Sequence, residues 1–178
     1  MGAPVTMLVT PGKGDVPREQ SQRNWIAGLA EVAPFARAAG VTLTIENFPG
    51  ASSPFVTSTD VIAAFRAVPG LKLTFDNGNC VTGGEDAALS FERSKEYVVH
   101  AHFKDWDALP GDGTEGMPGL DGRRYRAALI GEGIVDHRNC VAAMRTAGYS
   151  GYINIEYENN RYPALDANRR ALDYLRAL

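Results

Sequence analysis

Four short stretches of the chain alternate apolar and polar residues: Val41-Thr42-Leu43-Thr44-Ile45-Glu46, Leu71-Lys72-Leu73-Thr74-Phe75-Asp76, Val99-His100-Ala101-His102-Phe103 and Tyr152-Ile153-Asn154-Ile155-Glu156. A strand points successive side chains to opposite faces, so each stretch reads as a strand with one apolar and one polar face. Pro4 to Thr10 is a further strand at the front. Helix-forming stretches separate them. Arg18 to Ala39 places Trp25, Ile26, Leu29, Val32 and Ala36 on one side and stops at Gly40; Pro34 inside it predicts a kink or a split. Ser58 or Thr59 caps a helix carrying Val61, Ile62, Phe65 and Val68. A short helix is expected from Glu85 to Ser94, another from the Asp136 cap to Ala147, and a last one from Ala164 to Leu178. Strands that alternate with helices at roughly 30 residues per step form right-handed βαβ units and a parallel sheet.

The polar faces choose between parallel architectures. An open doubly wound sheet carries helices on both sides and needs apolar contacts on both. A barrel needs them only outside, and its interior accepts polar groups near the open end. The alternation therefore predicts an α/β fold of (β/α) barrel geometry in a single domain of 178 residues. Catalytic groups of such barrels lie at the C-terminal strand ends. The last inward polar residues on four strands are Glu46, Asp76, His102 and Glu156, each at or within one residue of an end.

Three carboxylates facing one another in a partly dry cavity repel, and unpaired they take up protons. Lys72 shares the inward face, but one ammonium cannot balance three carboxylates. A divalent metal ion can, with His102 adding a nitrogen ligand. One imidazole with three carboxylates suits Mn²⁺, Mg²⁺, Co²⁺ or Zn²⁺ and leaves positions for two substrate oxygens. His100 shares this face lower down, as a packed neighbour of His102 or a substrate contact. His137, in the first turn of a helix, is expected in solvent.

Composition removes other classes. Lys and Arg number 18 against 21 Asp and Glu, which leaves no basic footprint for nucleic acid. No apolar run reaches the roughly 18 residues of a membrane span, and no secretory leader is visible. Cys80 and Cys140 are far apart without a CxxC pattern, which suggests free thiols and a cytoplasmic setting. Phosphate loops, nucleotide fingerprints and Ser-His-Asp spacing are missing from the sequence.

Thr44-Ile45-Glu46-Asn47, Leu73-Thr74-Phe75-Asp76, His100-Ala101-His102-Phe103-Lys104-Asp105, Gly131-Glu132-Gly133 and the run from Gly148-Tyr149 to Ile155-Glu156 resemble the sugar phosphate isomerase/epimerase family. That family belongs to the xylose isomerase-like barrel superfamily, which also holds ketose 3-epimerases, inosose dehydratases, hydroxypyruvate isomerases and endonuclease IV. The resemblance covers nearly the whole chain. It implies an incomplete (β/α)8 TIM barrel of about five βα units, strands four to eight, with roughly 90 residues of the front absent. It also implies a metal held by Glu46, Asp76, His102 and Glu156. Five strands leave two sheet edges open, so a homo-oligomer or strand exchange is expected to complete the barrel. Where the family often has Asp-x-x-His, this chain has Asp76-Asn77-Gly78-Asn79, so Asn79 is a candidate substrate contact. With three histidines in all, the zinc-rich site of endonuclease IV is out of reach.

The implied chemistry is metal-dependent isomerisation or epimerisation of a sugar or sugar derivative. A metal that chelates a carbonyl and the neighbouring hydroxyl acidifies the C–H between them and stabilises the enediolate. By resemblance to ketose 3-epimerases, Glu46 and Glu156 are the acid/base pair as well as ligands. An inosose dehydratase-like elimination shares the proton abstraction, and a catalytically inert fragment is the remaining alternative. Residues 104–133 hold seven glycines and read as a long irregular loop, a lid candidate beside His102. Lys104, Trp106 and Arg161 complete the candidate substrate contacts, and Arg123, Arg124 and Arg126 are basic residues of the same loop.

Overall fold

The computed structural model describes residues 2–110 and 112–178. In chain order the elements are β1 (Val5–Leu8), α1 (Arg18–Ala38), β2 (Thr42–Glu46), α2 (Ser58–Ala67), β3 (Lys72–Asp76), α3 (Ala87–Ser94) and β4 (Val98–Phe103). There follow β5 (Asp105–Leu109), β6 (Met117–Pro118), β7 (Arg124–Ala128), α4 (His137–Thr146), β8 (Ile153–Ile155) and α5 (Ala164–Arg176). Five strands form one sheet in the order β1-β2-β3-β4-β8, and every neighbouring pair is parallel. This is an α/β fold whose sheet makes a half-barrel wall.

The alternation in sequence becomes two faces of the sheet. Leu43, Ile45, Leu73, Phe75, Ala101 and Phe103 are buried on the helix side among Leu29, Val61, Phe65, Phe91, Met144, Ala167 and Ala171. Each large side chain buried this way stabilises the fold by about 1.5–3 kcal/mol before entropy is charged. On the other side, the Thr44 and Thr74 hydroxyls lie 2.8 Å apart in a hydrogen bond, and Thr44 also donates to the Thr6 carbonyl at 3.2 Å. The inner face is polar up to the strand ends.

Several expectations need correction. Helix α1 runs unbroken through Pro34. Pro34 and Ala30 are both exposed, so the Ala30 carbonyl that loses its helical donor faces water. The cap of α2 is Thr57: its side chain accepts from the Asp60 backbone N–H, and the Asp60 carboxylate accepts from that of Thr57 at 2.9 Å. Lys72 turns away from the strand ends, donating to the Glu96 carbonyl at 3.2 Å.

The stretch 104–133, expected to be irregular, carries an antiparallel sheet in the order β5-β7-β6; residue 111 lies outside the described residues. Trp106 and Tyr125 are buried with their rings 6.4 Å apart and give the small sheet an apolar side. It is pinned to the loops beyond β2 and β3: Ala51 N donates to the Pro118 carbonyl (2.7 Å) and Leu120 N to that of Thr82 (2.8 Å). Gly119 permits this approach, because a Cβ there would lie 2.6 Å from the Thr82 carbonyl oxygen.

Candidate metal centre

Glu46 ends β2, Asp76 ends β3, His102 is next to last in β4 and Glu156 follows β8 directly. One ligand-type atom from each of the four lies within 4.8 Å of the others. Glu46, Asp76 and His102 are buried, and Glu156 is partly open. The Nδ1 atom of His102 lies 2.7 Å from Glu46 Oε1 and 2.8 Å from Glu156 Oε1. The Asp76 carboxylate is split in its duties. Oδ1 accepts from the backbone N–H groups of Gly78 (2.8 Å) and Asn79 (2.7 Å), while Oδ2 is buried with no hydrogen-bond partner among the described residues.

Asn47 fixes the first two strand ends. Its Nδ2 donates to the Asp76 carbonyl (2.7 Å) and its Oδ1 accepts from Asp76 N (2.8 Å), so a buried side chain ties β3 to the loop after β2. Glu156 N donates to the Phe103 carbonyl at 2.8 Å, which sets the last carboxylate beside β4.

The Lys104 ammonium also faces the cluster. Its Nζ lies 2.8 Å from Glu156 Oε2, 3.0 Å from Glu158 Oε2 and 3.9 Å from Asp76 Oδ2. Burial, helped by Glu46 and Glu156 and opposed by Lys104, pushes the Asp76 carboxyl up to about 8. Burial alone would lower the His102 pKa, but hydrogen bonds to Glu156 and Glu46 raise it to about 10. The His102 bond outweighs burial at Glu156 and, with Lys104, holds that carboxyl down near 2. Burial would lower Lys104, yet Asp76 and Glu156 hold it above the usual amine range.

These features fit a divalent cation. Three hard oxygen donors and one imidazole converge, and one buried carboxylate oxygen in their midst has no hydrogen bond among the described residues. The donor set does not single out one ion.

The other sequence candidates fall in different places. Among the described residues, neither amide atom of the buried Asn79 has a hydrogen-bond partner, nor does the buried Trp106 indole N–H. His100 meets the His102 ring edge-on at 5.3 Å; burial, then His102, lowers its pKa. Arg161 is outside the cluster: its guanidinium is exposed and faces Glu132 at 3.5 Å.

Sequence reasoning missed a buried polar chain behind the site. Asn77 N donates to the His102 carbonyl (3.1 Å), and Asn77 Oδ1 accepts from Lys104 N (3.1 Å). Asn77 Nδ2 meets His137 Nδ1 at 2.8 Å, and His137 Nε2 lies 3.2 Å from Asp105 Oδ2 without hydrogen-bond alignment. The Asp105 carboxylate accepts from the N–H groups of Trp106, Gly131, Gly133 and Val135. His137, expected in solvent, is therefore buried, because the first turn of α4 packs against these strand ends. The signal available in sequence was Asp105 next to Lys104 and the closely spaced Gly131 and Gly133.

Residues 1–178 match the family described as Xylose isomerase-like TIM barrel. The chain belongs to this family. Among curated members, it is 25% identical to the inosose dehydratase of Lacticaseibacillus casei over 138 residues, covering 75% of this chain and 46% of that one. It is 26% identical to the L-ribulose-5-phosphate 3-epimerase UlaE of Escherichia coli K12 over 162 residues, covering 89% and 51%. The crystal structure of the IolI protein with a zinc atom superposes with a TM-score of 0.75 at 17% identity, over 97% of this chain and 61% of that one. The chain thus spans about half the length of the curated relatives it matches.

Proposed function

We propose that this Xylose isomerase-like TIM barrel chain carries the metal-dependent half of a sugar isomerase or epimerase site. The observation that carries the reading is the convergence of Glu46, Asp76, His102 and Glu156, with the Asp76 Oδ2 atom buried and without a hydrogen bond among the described residues. The curated relatives that act on sugar phosphates and inososes support the substrate class. Glu46, Asp76, His102 and Glu156 hold the ion, which supplies Lewis-acid polarisation of a substrate carbonyl when bound.

The protein's own groups supply the proton transfers. Glu156 is the most open member of the cluster, so its carboxylate is assigned as the base that removes a proton next to the carbonyl. Glu46 stands across the cluster on β2, separated from β8 by β3 and β4, and serves the opposite face. Asn79, His100, Lys104 and Trp106 are the candidate groups that orient the sugar hydroxyls, with Arg161 further out.

The test is to incubate the chain with ketoses in heavy water and follow deuterium uptake next to the carbonyl. Uptake with a new epimer or isomer supports the reading. Glu156→Gln is expected to abolish exchange while a titration still detects metal. Full exchange in that variant refutes the base assignment. Loss of water from an inosose substrate selects the dehydratase reading, which the Lacticaseibacillus relative favours. Metal binding without exchange on any ketose or inosose identifies an inert half-site.

A further inference from the structure

The Lys104 ammonium occupies a place that a surface lysine would not. Its side chain is 6% exposed, and its Nζ is wedged among Glu156 Oε2 (2.8 Å), Glu158 Oε2 (3.0 Å) and Asp76 Oδ2 (3.9 Å). Two of these oxygens belong to candidate metal ligands. The space is prepared for it. A Cβ on residue 78 would lie 2.7 Å from Lys104 Cγ and 2.8 Å from its carbonyl oxygen, so Gly78 is required beneath the stem. The Trp106 ring lies 5.5 Å from Nζ on another side. Lys72, the other lysine on the inner strands, is engaged by the Glu96 carbonyl and leaves the task to Lys104.

We infer that Lys104 is a resident counter-cation: it holds the carboxylate cluster together when no metal is bound, and it weakens the grip on a divalent ion that enters. The inference rests on the metal-site reading above. Carboxylates at this separation in a buried site repel one another unless a positive charge sits among them. A fixed ammonium within hydrogen-bond distance of a ligand oxygen also repels an incoming dication. Even at an effective dielectric of about 20, that repulsion weakens binding by at least about ten-fold. Lys104 and the ion are thus partial substitutes for each other, and the cluster need never lose all its positive charge.

The experiment is calorimetric titration of the wild-type chain, Lys104→Met and Lys104→Arg with Mn²⁺ and with Zn²⁺, alongside thermal melting with and without each ion. Lys104→Met keeps the apolar stem and removes the charge. It is expected to bind metal at least about ten-fold more tightly, to melt below wild type without metal, and to recover on saturation. Lys104→Arg is expected to bind like wild type. The inference is overturned if Lys104→Met binds no more tightly, if Lys104→Arg tightens equally, or if Lys104→Met fails to fold even with saturating metal. Wild-type titration reads the metal site separately. Metal bound by Lys104→Met but not by wild type supports the counter-cation and revises the proposed function. Metal bound by neither overturns both.

Discussion

A single oxygen carries much of the argument at the residue scale. Asp76 Oδ1 is committed to two backbone N–H groups, and Oδ2 is buried with no hydrogen bond among the described residues, 3.9 Å from the Lys104 ammonium. A buried carboxylate oxygen without a hydrogen bond costs free energy, unless an ion meets it more closely. Asp76→Asn is therefore expected to reduce Mn²⁺ or Zn²⁺ affinity by about 100-fold or more in a calorimetric titration. Unchanged affinity would remove Asp76 from the ligand set. A different carboxylate gives the pH prediction. Burial would raise the pKa of Asp121, but bonds from Tyr125 Oη (2.6 Å), Arg123 Nε (2.7 Å) and Arg123 N (3.0 Å) hold it below its ordinary value. A carboxylate depressed on folding stabilises the native state above its unfolded pKa of about 3.9, and that contribution disappears as pH falls through the folded value. Melting curves of wild type and Asp121→Asn are expected to differ at neutral pH and to converge as pH falls below about 4. A gap that stays constant into acid would mean that the three bonds do not hold the charged form.

At the scale of elements, the strands were legible because their alternation is visible residue by residue. Ile45 and Phe75 went to the helices, and Glu46 and Asp76 to the interior, as the period of two requires. The convergence of Glu46, Asp76, His102 and Glu156 followed from the strand ends. The pieces that escaped were those decided by contacts distant in sequence. Nothing near His137 signals that Asn77, 60 residues away, will bind it. The glycine-rich spacing in 104–133 suggested loose chain, yet pairing of Asp105–Leu109 with Arg124–Ala128 and burial of Tyr125 made strands of it. Asn47 escaped similarly, since its role depends on the register between β2 and β3. Asn47→Ala strips two hydrogen bonds from buried backbone groups of Asp76 and is expected to destabilise the chain by about 2–4 kcal/mol in urea unfolding. A loss under about 0.5 kcal/mol would show that water replaces the amide.

For the molecule as a whole, the sheet edges matter most. β1 and β8 each have one paired neighbour among the described residues, so both flanks of the arc present open backbone groups. Exposed apolar side chains stand on the neighbouring elements: Val32 and Phe35 on α1 after β1, and Tyr152, Ile153, Leu165 and Leu172 around β8 and α5. Phe35 is 75% exposed, Tyr152 82% and Leu165 71%. One such residue needs no explanation, but we propose that the clusters at both open flanks bury on association. Glu156 is the partly open member of the cluster, so a partner that closes the flank beside β8 would complete its enclosure. Self-association is the outcome expected for this chain alone. Sedimentation should show species above the 19.2 kDa monomer whose fraction rises with concentration. Phe35→Glu combined with Leu165→Glu should shift the distribution toward monomer, while the melting temperature of the monomeric fraction stays unchanged. A chain that sediments as a monomer at every concentration would show that the exposed flanks do not pair with one another.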